Sequence, residues 1–247
     1  MTSSAGEGTS KLEFDVNMTC SSCASKVQQS LHAIGVKQIS IDVQKQSVVV
    51  DTDIPFSRVL GAIQATGKKA VLKGYGSSEG TSPKPSAVAE VFGTPGIMGV
   101  VRFSQISDRE CVIDGTIDGL SNGVHQLEIH ELGDLSNGCE STGDIYEPRT
   151  GIPAASRQYG CLGEVESDSS GRSTFRKVDE VINVADIIGR SLLVSSSKSP
   201  GTGKECTSRL ACGIIARASG ISQNPKRICA CDGVSIWDEA NAPAKSA

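Results

Sequence analysis

Hydrophobic and polar positions alternate strictly over residues 11–17, with Leu12, Phe14 and Val16 set against Lys11, Glu13 and Asp15. That period of two predicts a strand with one buried face. From residue 22 the period lengthens. Val27, Leu31 and Ile34 recur at helical spacing over 22–33, and Gly35 stops the run. Ile39, Ile41 and Val43 return to alternation, and 48–50 supplies the second strand of a hairpin. Pro55 stands where a helix can start, Val59, Leu60 and Ile63 form its apolar stripe, and Gly67 ends it. A last strand covers 70–72. The order is βαββαβ over residues 11–76, an α+β, ferredoxin-like pattern.

The pattern then changes character. Residues 77–86, SSEGTSPKPS, read as a linker by composition. From 87 to 218 short strands recur at 87–92, 99–106, 111–117, 124–130, 163–166, 173–177, 191–194 and 210–216, punctuated by Gly, Asn and Asp. This predicts an all-β sandwich or barrel. Two long irregular stretches, 133–162 and 195–208, interrupt it, and loops of that length are usually functional or disordered. Residues 219–247 form a tail too short for a core of its own, and residues 1–10 a flexible N-terminus.

Composition narrows the function classes. The chain holds 24 Lys and Arg against 28 Asp and Glu, a formal charge of −4. Residues 11–73 carry eight basic and five acidic residues, so the first unit is basic and the remainder acidic. A mildly acidic chain gives no reason to expect nucleic acid as partner. No apolar run approaches the ~20 residues that cross a bilayer. The polar, arginine-free start matches neither a secretory signal nor a mitochondrial presequence. A cytoplasmic protein that is not membrane-embedded is expected, with the mitochondrial intermembrane space as a second compartment. In a reducing compartment, nine cysteines point to metal or thiol chemistry. Three histidines, His32, His125 and His130, are too few for a multi-histidine metal enzyme.

Met18-Thr19-Cys20-Ser21-Ser22-Cys23 is the most informative stretch. It leaves a strand and opens a helix, so both thiols can face one ion and the helix N-terminus favours thiolate. A soft two-thiolate site suits Cu(I), whereas zinc normally asks for four ligands. A CxxC pair could equally be redox-active. MTCSSC within a βαββαβ unit resembles the heavy-metal-associated domain of copper chaperones. The resemblance implies Cys20 and Cys23 as Cu(I) ligands, with Lys68 or Lys69 near the metal loop to offset thiolate charge.

Residues 87–218 resemble Cu,Zn superoxide dismutase. The matching stretches are GTIDGLSNGVHQLEIHELGDLSNGC, GRSLLV and SRLACGIIARA. The resemblance implies a Greek-key β-barrel, a disulfide between Cys139 and Cys212, and a match of Arg209 to the arginine that guides superoxide in the enzyme. Without a metal, Arg209 is expected to be a structural hydrogen-bond donor. The ligand positions depart from the enzyme. The first two copper histidines fall at Glu128 and His130, the bridging histidine at Ile145, the zinc positions near Thr150, Gln158 and Cys161, and the last copper histidine at Ser195. One histidine of six survives, which argues against a dismutase. A zinc site from His130, Cys161 and nearby carboxylates is a weaker alternative. His125 is expected to be a packed barrel residue, and Cys111 a buried free thiol.

The enzyme's dimer surface is better kept, at Gly133, Ile188, Gly189 and the ACGII stretch containing Gly213. A barrel that keeps this surface and loses the metals can imitate a subunit. With Cys229-x-Cys231 in the tail, the resemblance extends along the whole chain to the copper chaperones for superoxide dismutase. It implies Cys229 and Cys231 as a second soft thiolate pair, able to hold Cu(I) or exchange disulfide. The expected function is delivery of Cu(I) to copper-free Cu,Zn superoxide dismutase through a heterodimer, with promotion of the client's disulfide. No enzyme activity is expected. A homodimer and a copper transporter as metal donor are further expectations. A thiol-disulfide oxidoreductase with incidental copper binding is the alternative.

Overall fold

A computed structural model describes residues 8–77, 84–93, 96–148, 157–196, 208–221 and 223. The chain divides into two compact units, one of residues 1–83 with 219–247 and the other of 84–218.

The first unit holds β1 (Ser10–Val16), α1 (Ser21–Ala33), β2 (Gln38–Asp42), β3 (Ser47–Thr52), α2 (Phe56–Ala65) and β4 (Ala70–Ser77). Its antiparallel sheet has the order β2-β3-β1-β4. The alternation in β1 places Leu12, Phe14 and Val16 on the helix-covered face, opposite Val50 and Val48 of β3. Val27 and Leu31 of α1 and Val59 and Ile63 of α2 complete this core, all fully buried. Each such side chain contributes about 1.5–3 kcal/mol by leaving water. Gly35, at φ +98°, ends α1. Its N–H bonds the His32 carbonyl and the Val36 N–H bonds that of Leu31, the reciprocal pair of a Schellman motif.

β4 runs five residues beyond the expected 70–72. Gly74 and Gly76 suggest a break in the sequence, yet Tyr75 between them is buried opposite Leu12 and carries the strand on.

The second unit adds β5 (Ser86–Gly93), β6 (Ile97–Gln105), β7 (Cys111–Asp118), β8 (Gly123–His130), β9 (Ser136–Cys139), β10 (Cys161–Ser167), β11 (Ser173–Asp179), α3 (Val184–Ile187), β12 (Ser191–Ser196) and β13 (Arg209–Ala218). Eight strands form one antiparallel sheet, ordered β10-β8-β12-β13-β5-β6-β7-β11. Consecutive β7 and β8 are not neighbours, so the chain crosses between them as a Greek key requires. The sheet curls into a nearly closed barrel. Lys177 on β11 spans the remaining gap, donating to the Leu162 and Glu164 carbonyls of β10. Val91, Val101, Phe103, Ile113, Ile117, Leu127, Ile129, Leu192, Val194 and Ile215 fill the interior. Leu120, in the β7–β8 crossing, drops into the same core.

The stretch expected to be irregular from 133 to 162 carries β9 and a 3-10 turn at Glu140–Thr142. It is pinned to β8 through Glu131 N–H to Asp144 O (2.9 Å), Leu132 N–H to Thr142 O (3.0 Å) and Tyr146 N–H to Ile129 O (2.8 Å). Single hydrogen bonds back to β8 and the two residues after it leave no periodic trace in the sequence.

Candidate functional site

Cys20 is the N-cap of α1, in extended backbone at φ −159° and ψ 169°. Its carbonyl accepts the N–H groups of Cys23 (3.2 Å) and Ala24 (3.3 Å). The first turn contains no acidic residue, so the positive end of the helix is left to whatever charge the thiols carry. The two sulfurs lie 3.3 Å apart, Cys20 exposed and Cys23 buried. The loop is held from below. Met18 packs into the core, its carbonyl accepts from Gln46 at 3.5 Å, and Asn17 N–H bonds the Lys69 carbonyl at 3.0 Å.

The hydrogen bond with Cys20, then the Thr19 backbone and the Lys68 ammonium, lower the Cys23 thiol to about 6 against the opposing effect of burial. A thiolate is therefore the resting form at neutral pH, and it needs no further deprotonation to take a soft cation. Lys68, one of the two lysines considered, lies beside Cys23. Two sulfurs, one accessible, beside a lysine can hold Cu(I) in low coordination. Among the described residues no group of three or more His, Cys, Asp and Glu side chains gathers as a metal site.

The barrel positions that correspond to dismutase ligands form a different arrangement. Glu128 and His130 lie on the outer face of β8, with the His130 Nε2 3.8 Å from the Glu128 carboxylate. Ser195 donates to Glu128 at 3.2 Å. His130 Nδ1 lies 2.8 Å from the Gly143 carbonyl, and His130 bridges to Ile145 through the backbone. His130 first, and the Ser195 hydroxyl after it, hold the Glu128 carboxyl below the usual carboxylate range despite partial burial. Cys161 pairs across from Glu128 and is a free thiol. His125 is buried, with Nε2 2.8 Å from the Ser121 carbonyl, as a packed barrel residue would be. Cys111 is a buried free thiol pushed up by that burial.

Cys139 and Cys212 form a disulfide, with Cα atoms 5.6 Å apart across 73 positions. It ties the end of β9 to β13. Arg209 reinforces the tie, donating to the carbonyls of Cys139 and Gly143 and to the Thr142 hydroxyl. These acceptors stand 66 to 70 positions upstream, so no local signal in the sequence could have named them.

Gly133 and Gly189 meet in space. A Cβ on Gly133 would lie 2.2 Å from the Gly189 carbonyl oxygen and 3.5 Å from the Ile214 side chain. The N–H of Gly189, whose φ is +86°, donates to the Ile215 carbonyl, which draws Ile188 beside β13. Leu132 (50% exposed), Ile188 (36%) and Ile214 (44%) flank this contact on the surface. Gly213 belongs to the sheet beneath, where a Cβ would lie 1.8 Å from the Glu90 carbonyl oxygen. Phe92 pairs across from Cys212 and Met98 across from Phe92, both exposed and neither singled out from the sequence. Only their solvent-facing register, which needs the barrel, marks them. Cys229 and Cys231 lie outside the described residues, as do Thr150 and Cys206.

The heavy-metal-associated domain family matches residues 13–69, and the copper/zinc superoxide dismutase family matches residues 97–215. The copper chaperone for superoxide dismutase from Homo sapiens is 43% identical, over 94% of this chain and 89% of that protein. The Rattus norvegicus protein of the same name is 43% identical over 98% and 94%. The Arabidopsis thaliana copper chaperone for superoxide dismutase, chloroplastic/cytosolic, is 37% identical over 93% of this chain and 70% of its own length.

Proposed function

Because the chain belongs to the copper chaperones for superoxide dismutase, we propose that it carries Cu(I) on Cys20 and Cys23 and delivers it to copper-free Cu,Zn superoxide dismutase. The observation that carries this reading is the sulfur pair 3.3 Å apart at the start of α1, with Cys23 poised as thiolate at neutral pH. Thiolates hold Cu(I) tightly yet exchange it through shared-ligand intermediates, so the ion passes without release into water.

The barrel serves as a docking half rather than a catalyst. Its outer surface at β8 and β12 has Glu128, His130 and Ser195 in place of an imidazole cage. The exposed Leu132, Ile188 and Ile214 around the Gly133–Gly189 contact, above Gly213, supply an apolar patch of the kind that marks interaction sites. One dismutase subunit takes that patch to form a heterodimer, and a second copy of this chain takes it as a homodimer when no client is present. Cys229 and Cys231 form the second thiolate pair. When oxidised to a disulfide, they accept two electrons from two client thiols as the client's own disulfide forms. A membrane copper transporter is the donor, and the cytoplasm is the site of action, with the intermembrane space as a second.

The test mixes Cu(I)-loaded chain with reduced, copper-free Cu,Zn superoxide dismutase under a tight Cu(I) chelator. Dismutase activity is expected despite the chelator, and Cys229→Ser with Cys231→Ser is expected to abolish it. No activation, with copper still on Cys20 and Cys23, would overturn the delivery reading.

A further inference from the structure

The turn between β2 and β3 reaches the loop that presents Cys20 through one residue. Among the described residues Gln46 is the only non-glycine at positive φ, at +55°. L side chains seldom adopt that backbone, and glutamine is not among the types enriched there. Glycine would take it freely. A glutamine at this position therefore carries strain, and strain of this kind collects where a side chain has work to do.

What accompanies the strain is a grip at two points on the approach to Cys20. The Gln46 carbonyl accepts the Val16 N–H at 2.7 Å, one step beyond the last β1–β3 pair, Asp15 with Ser47. The Gln46 side-chain amide donates to the Met18 carbonyl at 3.5 Å. The turn behind it is closed independently, by Gln46 N–H to Val43 O at 3.3 Å and by Lys45 N–H to the Asp42 carboxylate at 3.0 Å. Met18 is buried, so its side chain anchors the same peptide in the core.

The Met18 carbonyl and the Thr19 N–H belong to one peptide. A trans peptide is planar, and its C=O and N–H point to opposite sides. A donor fixed on the carbonyl therefore sets the direction of the N–H. That direction matters to Cys23. After Cys20, the Thr19 backbone is the largest influence holding the Cys23 thiol down. The Thr19 hydroxyl lies 3.9 Å from the same sulfur.

We propose that Gln46 is a positioning residue for the copper site, holding the Met18–Thr19 peptide so that its N–H faces the Cys23 sulfur. It acts through Met18 and Thr19 and is not itself a ligand. The copper consequence rests on the Cu(I)-carrying role proposed above, while the grip on the peptide does not. With the N–H in place, charge on the sulfur is met by a fixed backbone dipole before and after the ion arrives. With the peptide free to turn, the sulfur loses that partner and holds the ion less well.

Two variants separate the side chain from the backbone. Gln46→Met keeps the length and the strained φ but removes the donor. Gln46→Gly removes the donor and relieves the strain. In the metal-free, full-length chain with Cys20 and Cys23 reduced, both are expected to speed Thr19 amide exchange about fivefold, the worth of one hydrogen bond. Val16, held by the Gln46 backbone, is expected to keep its wild-type exchange rate in Gln46→Met. The melting midpoint of the helical circular dichroism is expected to stay in place in Gln46→Met and not to fall in Gln46→Gly. In a Cys229→Ser, Cys231→Ser background, bound Cu(I) is expected to pass to a tight chelator about fivefold faster in both variants. A residue that served only the turn would open Val16 and Thr19 together and lower the midpoint, and that pattern would overturn the proposal. Wild-type exchange at Thr19 in Gln46→Met, or copper leaving both variants at the wild-type rate, would overturn it too. If both variants behave as expected and the wild-type chain still activates no dismutase, Gln46 keeps its role and only the delivery reading falls.

Discussion

At the scale of single residues, the informative quantity is the proton on Cys23. Its thiol is lowered to about 6 by Cys20, Thr19 and Lys68. A lowered value means that the folded chain favours thiolate, an advantage present above the ordinary thiol range and lost as pH falls through about 6. Alkylation of metal-free Cys23 is therefore expected to rise to half its maximum near pH 6, as a pH series read by mass spectrometry would report. Lys68→Ala should move that midpoint upward, and copper should begin to leave the wild-type site only below about pH 6. An unmoved midpoint in Lys68→Ala would remove Lys68 from the site. The thiol pair was legible because MTCSSC joins a strand pattern to a helix pattern. The lysine was legible only as one of two candidates, since a register at the end of a loop decides which of Lys68 and Lys69 faces the sulfur. Arg209 shows the opposite limit. Its role as a structural donor could be expected from the missing metals, but its partners could not, because folding alone brings Cys139, Thr142 and Gly143 to it.

At the scale of elements, the βαββαβ unit could be read almost throughout, since its strands alternate and its helices repeat on a buried stripe. The misjudged element is β4. The expected strand ends at Leu72, whereas β4 continues to Ser77, with Gly74 and Gly76 lying close against Gly220 and Ile221. β9 and the turn after it were missed for a related reason. They are tied to β13 by the Cys139–Cys212 disulfide and by Arg209, and such ties carry no period. The contact of Gly133 with Gly189 is an element-level constraint with a measurable consequence. Gly133→Ala places a methyl group 2.2 Å from a carbonyl oxygen, so backbone must move. Overpacking of this kind costs about 2 kcal/mol, a fall of roughly 8 °C in the barrel's Tm by calorimetry. The disulfide is the larger support. Closing a separation of 73 residues is worth about 4 kcal/mol in the chain-entropy model. Cys139→Ser is therefore expected to lower the barrel's denaturation midpoint sharply and to leave copper binding by the first unit unchanged. Equal midpoints with and without reductant would show the bond to be energetically idle.

At the scale of the whole molecule, the shift from a basic to an acidic balance coincides with the passage from the first unit to the second. Under the proposed function the first unit holds the copper and the second offers the docking surface. Ile188→Asp with Ile214→Asp puts two charges into the proposed contact and touches no core residue. Heterodimer formation with copper-free dismutase, followed by size-exclusion chromatography with light scattering, should be lost, while copper content stays at its wild-type value. A heterodimer that survives both substitutions would move the docking face elsewhere.

The polar cluster shared by β8 and β12 bears on metal binding by the barrel. Glu128, His130 and Ser195 are engaged with one another and with the Gly143 carbonyl. An arriving ion would find no group of three or more His, Cys, Asp and Glu side chains gathered there among the described residues. The half of the molecule that most resembles the recipient is thus a poor rival to it. Under the proposed delivery, copper released beside the barrel would meet no rival ligand cage there, and the resemblance proposed to bring the two proteins together would not turn into competition for the ion.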